Sequence, residues 1–219
     1  MRIYINTSCN TEEVPFNYQQ KMIGLLHKWL GENELHDLIS LYSFSWLTNG
    51  NIANNGFSFK NGAKWFISFH EDKYVKQVIR TILNDPKMFS GLKVADVTIQ
   101  EDIDLSRIEY FKLASPILIK RKKDDNIKFY TYEDSEANGF LIETIHHKMQ
   151  LAGLPMDDSL EISFDLKYTN KKIKKVQIHG IDNKCSMCPV IIKGKESTKE
   201  FIWNVGLGNS TGSGFGSIF

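Results

Sequence analysis

The stretch Val205-Gly206-Leu207-Gly208-Asn209-Ser210-Thr211-Gly212-Ser213-Gly214-Phe215-Gly216 places five of the chain's 15 glycines within eleven positions. Glycine adopts positive φ and lets another backbone approach closely. Successive amides in such a loop form a concave nest suited to a phosphate oxygen. Two nucleotide-binding fingerprints fail here. A dinucleotide-binding loop opens a helix inside a βαβ unit, and only Ser217, Ile218 and Phe219 follow Gly216. A P-loop ends in Gly-Lys-Ser/Thr, which is absent. A flexible tail fits the composition alone, but Phe215, Ile218 and Phe219 are apolar residues suited to packing. The segment reads as a strand–loop–strand that touches a polyanion backbone.

Working outward, Lys199 to Asn204 reads as the strand entering the loop and Phe215 to Phe219 as the strand leaving it. Further upstream in this half, Phe111 to Lys120 is a strand interrupted by Pro116, and Phe129 to Tyr132 is a small added strand. Ser135 to Ala152 is a long helix stopped by Gly153. Leu160 to Tyr168, Lys174 to Ile181 and Val190 to Lys195 read as strands. On this reading the half lacks its second helix, or keeps only a turn of it.

The first half is clearer. Met1 to Thr7 alternates like a strand. Tyr18, Met22, Leu25, Leu26 and Trp29 recur at the helical period after Pro15 and Asn17, up to Leu30. A short helical turn is expected around Glu34 to Ile39. Tyr42 to Leu47 and Lys64 to Phe69 read as strands, with a short strand Gly56 to Phe59 between them. A helix capped by Asp72 runs from Lys73 to Leu83 before Pro86, and Leu92 to Gln100 closes the unit. The order β-α-β-β-α-β is the ferredoxin-like pattern. The expected class is α+β, with two tandem ferredoxin-like (RRM-like) domains at residues 1–110 and 111–219.

A chain of 219 residues suits two domains of about 100 residues each. The net charge of +1 means that attraction to a polyanion must come from local clusters. Three cysteines, Cys9, Cys185 and Cys188, argue against a disulfide framework and fit a cytoplasmic protein. The Cys185-x-x-Cys188 pair has no second pair to complete a zinc site, so it reads as two strand thiols. The N-terminus lacks a signal-peptide pattern. No apolar run reaches the ~18 residues of a membrane span.

Taken together, these motifs resemble the CRISPR-associated endoribonucleases that process repeat RNA, within the repeat-associated mysterious protein superfamily. Val205-Gly206-Leu207-Gly208 followed by Gly212-Ser213-Gly214-Phe215-Gly216 is similar to that superfamily's C-terminal loop. Val14-Pro15-Phe16-Asn17-Tyr18-Gln19, then Gly24-Leu25-Leu26, resembles the entry to the family's first helix. Leu35-His36 with Tyr42-Ser43-Phe44-Ser45, and Ala114-Ser115-Pro116-Ile117, resemble later segments in the same order. The resemblance implies a CRISPR repeat RNA as partner, and other subunits of a CRISPR effector complex as further partners. It implies cleavage without metal or cofactor: a ribose 2′-hydroxyl attacks the adjacent phosphate, leaving a 2′,3′-cyclic phosphate and a 5′-hydroxyl.

Such chemistry needs a proton acceptor, a proton donor and positive charge near the phosphorane. Histidine suits the first two roles because its pKa lies near working pH. His27 and His36 are the candidates; each also reads as a surface histidine on its own. The resemblance places a tyrosine or histidine at His27 and a catalytic histidine at His36. Family members often carry a lysine where this chain has Ser40, which leaves Lys28 or Lys21 on the first helix as the cation.

For RNA binding, the resemblance points to a basic hairpin carrying Lys171, Lys172, Lys174 and Lys175, to Lys21, and to loop glycines Gly206, Gly208, Gly212, Gly214 and Gly216. Lys120-Arg121-Lys122-Lys123 is a second basic cluster, and a solvated hairpin explains either cluster equally well. His146 and His147 read as a polar helix face. Two rival functions share the pattern: a non-cutting RNA-binding subunit, and a tandem ferredoxin-like protein that holds a small anionic metabolite. The oligomeric state stays open between monomer and homodimer.

Overall fold

The computed structural model describes residues 1–31, 39–100 and 103–219. The first half begins with β1 (Arg2–Thr7), β2 (Val14–Pro15) and α1 (Gln19–Leu30). Tyr18, Met22, Leu25, Leu26 and Trp29 are buried, as their helical spacing requires. Gly31 stops α1 at φ 62°, and its N–H donates to the His27 carbonyl at 3.0 Å. β3 (Tyr42–Phe44), β4 (Asn51–Ile52), β5 (Gly56–Ser58), β6 (Lys64–Phe69), α2 (Asp72–Asn84) and β7 (Val94–Gln100) follow. Asp72 is not the cap of α2: Glu71 holds that position, and Asp72 lies in the first turn, where its charge suits the positive end of the helix dipole.

The sheet runs β3-β6-β1-β7 with every pair antiparallel. That is the ferredoxin-like strand order. β2, β4 and β5 form a separate small sheet. The expected turn at Glu34 to Ile39 lies almost wholly outside the described residues.

The second half contains β8 (Tyr110–Phe111), β9 (Ile119–Lys123), β10 (Asn126–Tyr130), α3 (Ala137–Leu151), β11 (Glu161–Phe164), β12 (Lys172–Ile178), β13 (Ile181–Met187), β14 (Val190–Lys193) and α4 (Glu196–Val205). Its sheet runs β11-β14-β8, and an antiparallel bridge from Leu113 to Ile218 adds the C-terminal segment beyond β8. The strand order of the first half is thus repeated. The chain has a tandem ferredoxin-like fold.

Three sequence expectations change. Lys199 to Asn204 is not a strand but the body of α4, which supplies the second helix that the sequence hid. Phe201, Ile202 and Val205 are buried at helical spacing. Phe215 to Phe219 is not a regular strand: it makes the bridge at Ile218, reciprocal backbone bonds between Lys112 and Phe219, and accepts at the Ser217 carbonyl from the Ala114 and Ser115 N–H groups. β13, absent from the sequence reading, pairs with β12 through a two-residue turn. His179 (φ 49°) and Gly180 (φ 76°) give that turn the left-handed conformation favoured in tight hairpins.

The halves pack tightly together. Phe215, Leu118, Val176, Ile178 and Cys185 of the second half join the core of the first. Arg2 is the main polar staple. Its guanidinium lies between the rings of Phe66 and Trp203, at 4.0 and 3.8 Å from their centroids. It donates to Ser68 Oγ and to the carbonyls of Trp203 and Ile218. Burial lowers its pKa to about 10. Among the described residues no helix is long and apolar enough to cross a membrane.

Candidate functional site

The glycine-rich loop lies between the two halves. A Cβ on Gly216 (φ 67°) would collide with the Leu207 carbonyl, and one on Gly212 would collide with the side chains of Ser40 and Tyr42. The glycines thus serve close packing: the loop folds back on itself and presses against β3. Trp46 Nε1–H donates to the Gly214 carbonyl at 2.9 Å, and Ser43 Oγ to the Asn204 carbonyl at 3.0 Å. The surface left open is polar: Asn209, Ser210 and Ser213 are half-exposed around a single 3-10 turn at Thr211–Ser213.

That surface forms one wall of a cleft of about 690 Å³. β9 contributes Lys120, Arg121 and Lys122. α3 contributes Glu143, Thr144, His147 and Lys148. Ile39 and Ser40, which follow His36 in the chain, complete the lining. Asn209 ties loop to strand: its Oδ1 accepts from the Lys120 N–H at 2.9 Å and from Arg121 at 3.3 Å. Arg121 is held by the Phe140 carbonyl, Thr144 Oγ1 and Glu143. Lys122 and His147 stay exposed.

His27 is half-buried in the last turn of α1, and α1 packs against the loop's 3-10 turn. Gln20, Gly24 and His27 share one face of α1. A Cβ on Gly24 would meet nothing within 4 Å, so this face is open. The tip of the β12–β13 hairpin reaches it from the second half, where the Gln20 amide donates to His179 Nδ1 at 3.1 Å. His36 lies outside the described residues.

Lys28 is turned to another task. Its Nζ pairs with Asp85 Oδ2 at 2.6 Å, and this contact lowers the Asp85 pKa. Lys21 is exposed on α1.

The hairpin lysines are divided. Lys171 donates to the Tyr168 carbonyl, Lys172 is exposed at the start of β12, Lys174 lies over the Trp46 ring at 4.9 Å, and Lys175 pairs with Asp182 at 2.5 Å. Burial, then repulsion from Lys172, lowers the Lys174 pKa. Lys174 and Lys175 line a second groove of about 510 Å³ with Phe16 and Trp46. Cys185 and Cys188 are buried thiols bonded to the Lys174 and Asp165 carbonyls, with pKa values pushed by burial up to about 12 and about 11.

His147 is exposed on α3, in keeping with a polar helix face, and also lines the cleft. Nothing local in the sequence marks Lys148 as buried. The clustered charges of β9 were visible, but not their place beside the loop.

The family model described as CRISPR associated protein Cas6, C-terminal, matches residues 99–218, more than half of the chain. The chain belongs to the Cas6 family. The matched span holds α3, the β12–β13 hairpin and the whole loop. The protein of a Cas6-related gene from Pyrococcus furiosus superimposes with TM-score 0.86 at 20% identity, covering 100% of this chain and 97% of that one. An RAMP protein binding different RNA substrates gives 0.85 at 18% identity, covering 100% and 98%. A solved CRISPR associated protein Cas6 gives 0.83 at 19% identity, covering 100% and 98%. At these identities the likeness is one of fold. No curated protein matches the chain by sequence.

Proposed function

We propose that this Cas6-family chain is an endoribonuclease that binds CRISPR repeat RNA and cuts it once, without metal, to release guide RNA. The observation that carries this reading is the cleft in which the glycine-rich loop, the β9 cations and the residues following His36 converge. A phosphate chain laid there meets Lys120, Lys122 and the polar rim of the loop. Such contacts exchange condensed counterions for lysines, and an A-form stem is recognised largely through its backbone.

His27 and His36 act as the acid–base pair on the 2′-hydroxyl and the leaving 5′-oxygen. The open face at Gly24 admits the strand beside His27. Lys28 is already neutralised by Asp85, so charge on the phosphorane comes from elsewhere, with Lys21 as the other cation of α1. The β12–β13 lysines form an outer contact for the stem.

The pairing of Lys28 also favours a second reading, in which the chain binds RNA without cutting it as a subunit of a CRISPR effector complex. One assay separates the two. The chain is incubated with repeat RNA in EDTA, beside the same RNA carrying 2′-deoxyribose at the cut. Cleavage of only the first, with a cyclic phosphate end, supports the enzyme. Binding without cleavage supports the subunit, and no binding at low salt overturns both.

A further inference from the structure

The floor of the cleft holds a cation that the proposed chemistry does not use. Lys148 is 2% exposed. Its Nζ donates to the Val205 carbonyl at 3.0 Å, to Thr211 Oγ1 at 3.0 Å and to the Gly206 carbonyl at 3.4 Å. Val205 ends α4 and Gly206 caps it, so the ammonium sits where a helix leaves its last carbonyls unpaired and its dipole is negative. Thr211 Oγ1 in turn donates to the Ser40 carbonyl at 3.4 Å. One side chain thus joins α3, the end of α4, the loop's 3-10 turn and the segment after His36.

A buried ammonium normally has an anionic partner. Among the described residues no carboxylate lies within ion-pair distance of Lys148. Glu143 lines the same cleft but is paired with Arg121. Burial alone brings the Lys148 pKa down to about 7. The fold therefore keeps a buried lysine without an ion-pair partner, among the described residues, beneath a cleft whose exposed rim is basic.

We propose that the missing counter-ion of Lys148 is a phosphate of the RNA strand in this cleft, and that Lys148 is a positioning residue for the glycine-rich loop which takes up a proton when RNA binds. The proposal rests on reading the cleft as the RNA interface. An anion brought close in a low-dielectric setting favours the ammonium form. The charged lysine keeps the loop's turn and the end of α4 in the arrangement that forms the cleft wall.

Other groups face this junction: His147 and Glu143 from α3, Lys120, Arg121 and Lys122 from β9, and the Tyr42 hydroxyl from β3, while α1, which carries His27 in its last turn, packs against the loop's 3-10 turn. With several ionisable groups around it, affinity against pH alone would not isolate Lys148. The readout belongs on its own amine. The whole protein, with lysine labelled by ¹³C at Cε, is titrated by NMR between pH 5 and 10, free and saturated with an all-2′-fluoro repeat RNA, which lacks the nucleophile. Lys148→Arg identifies the resonance by its loss.

The expected midpoint rises by roughly one unit or more when RNA is bound. An unchanged midpoint with RNA bound, as seen by fluorescence anisotropy in the same sample, overturns the proposal and leaves the RNA interface standing. Absence of RNA binding overturns both. As a second arm, Lys148→Met binds this RNA at least threefold more weakly than Lys148→Arg, and equal affinities overturn the positioning role. If Lys148→Met does not fold, the titration of the unaltered protein decides alone.

Discussion

Trp46 and Gly214 are joined across the two halves: the indole N–H donates to the glycine carbonyl at 2.9 Å. The loop that faces the cleft is thereby anchored to the first half of the chain just beyond β3. Trp46→Phe keeps the ring and removes the donor. The expected cost is about 1–2 kcal/mol in urea unfolding, the range for a part-buried carbonyl left unpaired. Faster amide exchange in Gly212 to Gly216 than in the unaltered protein checks that the loss is local.

The Arg2 staple predicts a larger effect. Arg2→Ala deprives the Trp203 and Ile218 carbonyls of a donor and opens the space between two rings. A loss of about 3 kcal/mol or more is expected, since breaking a buried polar network belongs to the severe class of substitutions. Equilibrium unfolding measures it, and proteolysis between the halves should become faster.

For catalysis, His27→Ala and His36→Ala are each expected to leave RNA affinity nearly unchanged while slowing single-turnover cleavage at least tenfold. Removal of a general acid or base typically costs about 10²–10⁴ in rate. Lys28→Met is expected to leave the rate within about threefold, because its ammonium is taken by Asp85, and to change stability little, as expected for an exposed pair. Normal cleavage by both histidine variants would refute the assignment.

The salt dependence of RNA affinity separates the two basic clusters. Lys122→Ala should lower the slope of log K against log salt by roughly one, the loss of a single phosphate contact. Lys175→Ala should lower it less, because Asp182 already neutralises that side chain at 2.5 Å. Equal slopes for the two variants would remove the distinction drawn between β9 and β12.

Lys148 also makes stability depend on pH. Its folded pKa, about 7, lies below the ordinary lysine value. At pH values below about 7 both states carry the proton, and the folded state bears the full cost of the buried charge. Between there and roughly 10.4 the unfolded chain binds more protons than the folded one, so this group makes stability rise with pH. Urea midpoints at pH 6, 7.5 and 9 should show that rise in the unaltered protein and a flatter course in Lys148→Met.

Local sequence determined much of the first half. The stripe from Tyr18 to Trp29 fixes one buried face of α1, and the run Lys64 to Phe69 emerges as β6 without change. Alternation and helical period are short-range signals, and these segments state them strongly. The glycine-rich loop was equally plain as a place of close backbone approach, and its resemblance to a family pattern agrees with the family match over residues 99–218. Lys199 to Asn204 misled, because Phe201, Ile202 and Trp203 favour a strand locally, whereas packing against the second core makes them helical.

Only the tertiary structure decided what the glycines touch, that Lys28 is bound to Asp85, and that the basic side chains of β9 rather than the β12–β13 lysines line the cleft with the loop. The burial of Lys148 is of the same kind. Charge and its clustering are written residue by residue, but the partner that neutralises a charge, or its absence, is set by segments far apart in the chain. The acceptors of Lys148 are more than 50 residues away, and no local pattern records them.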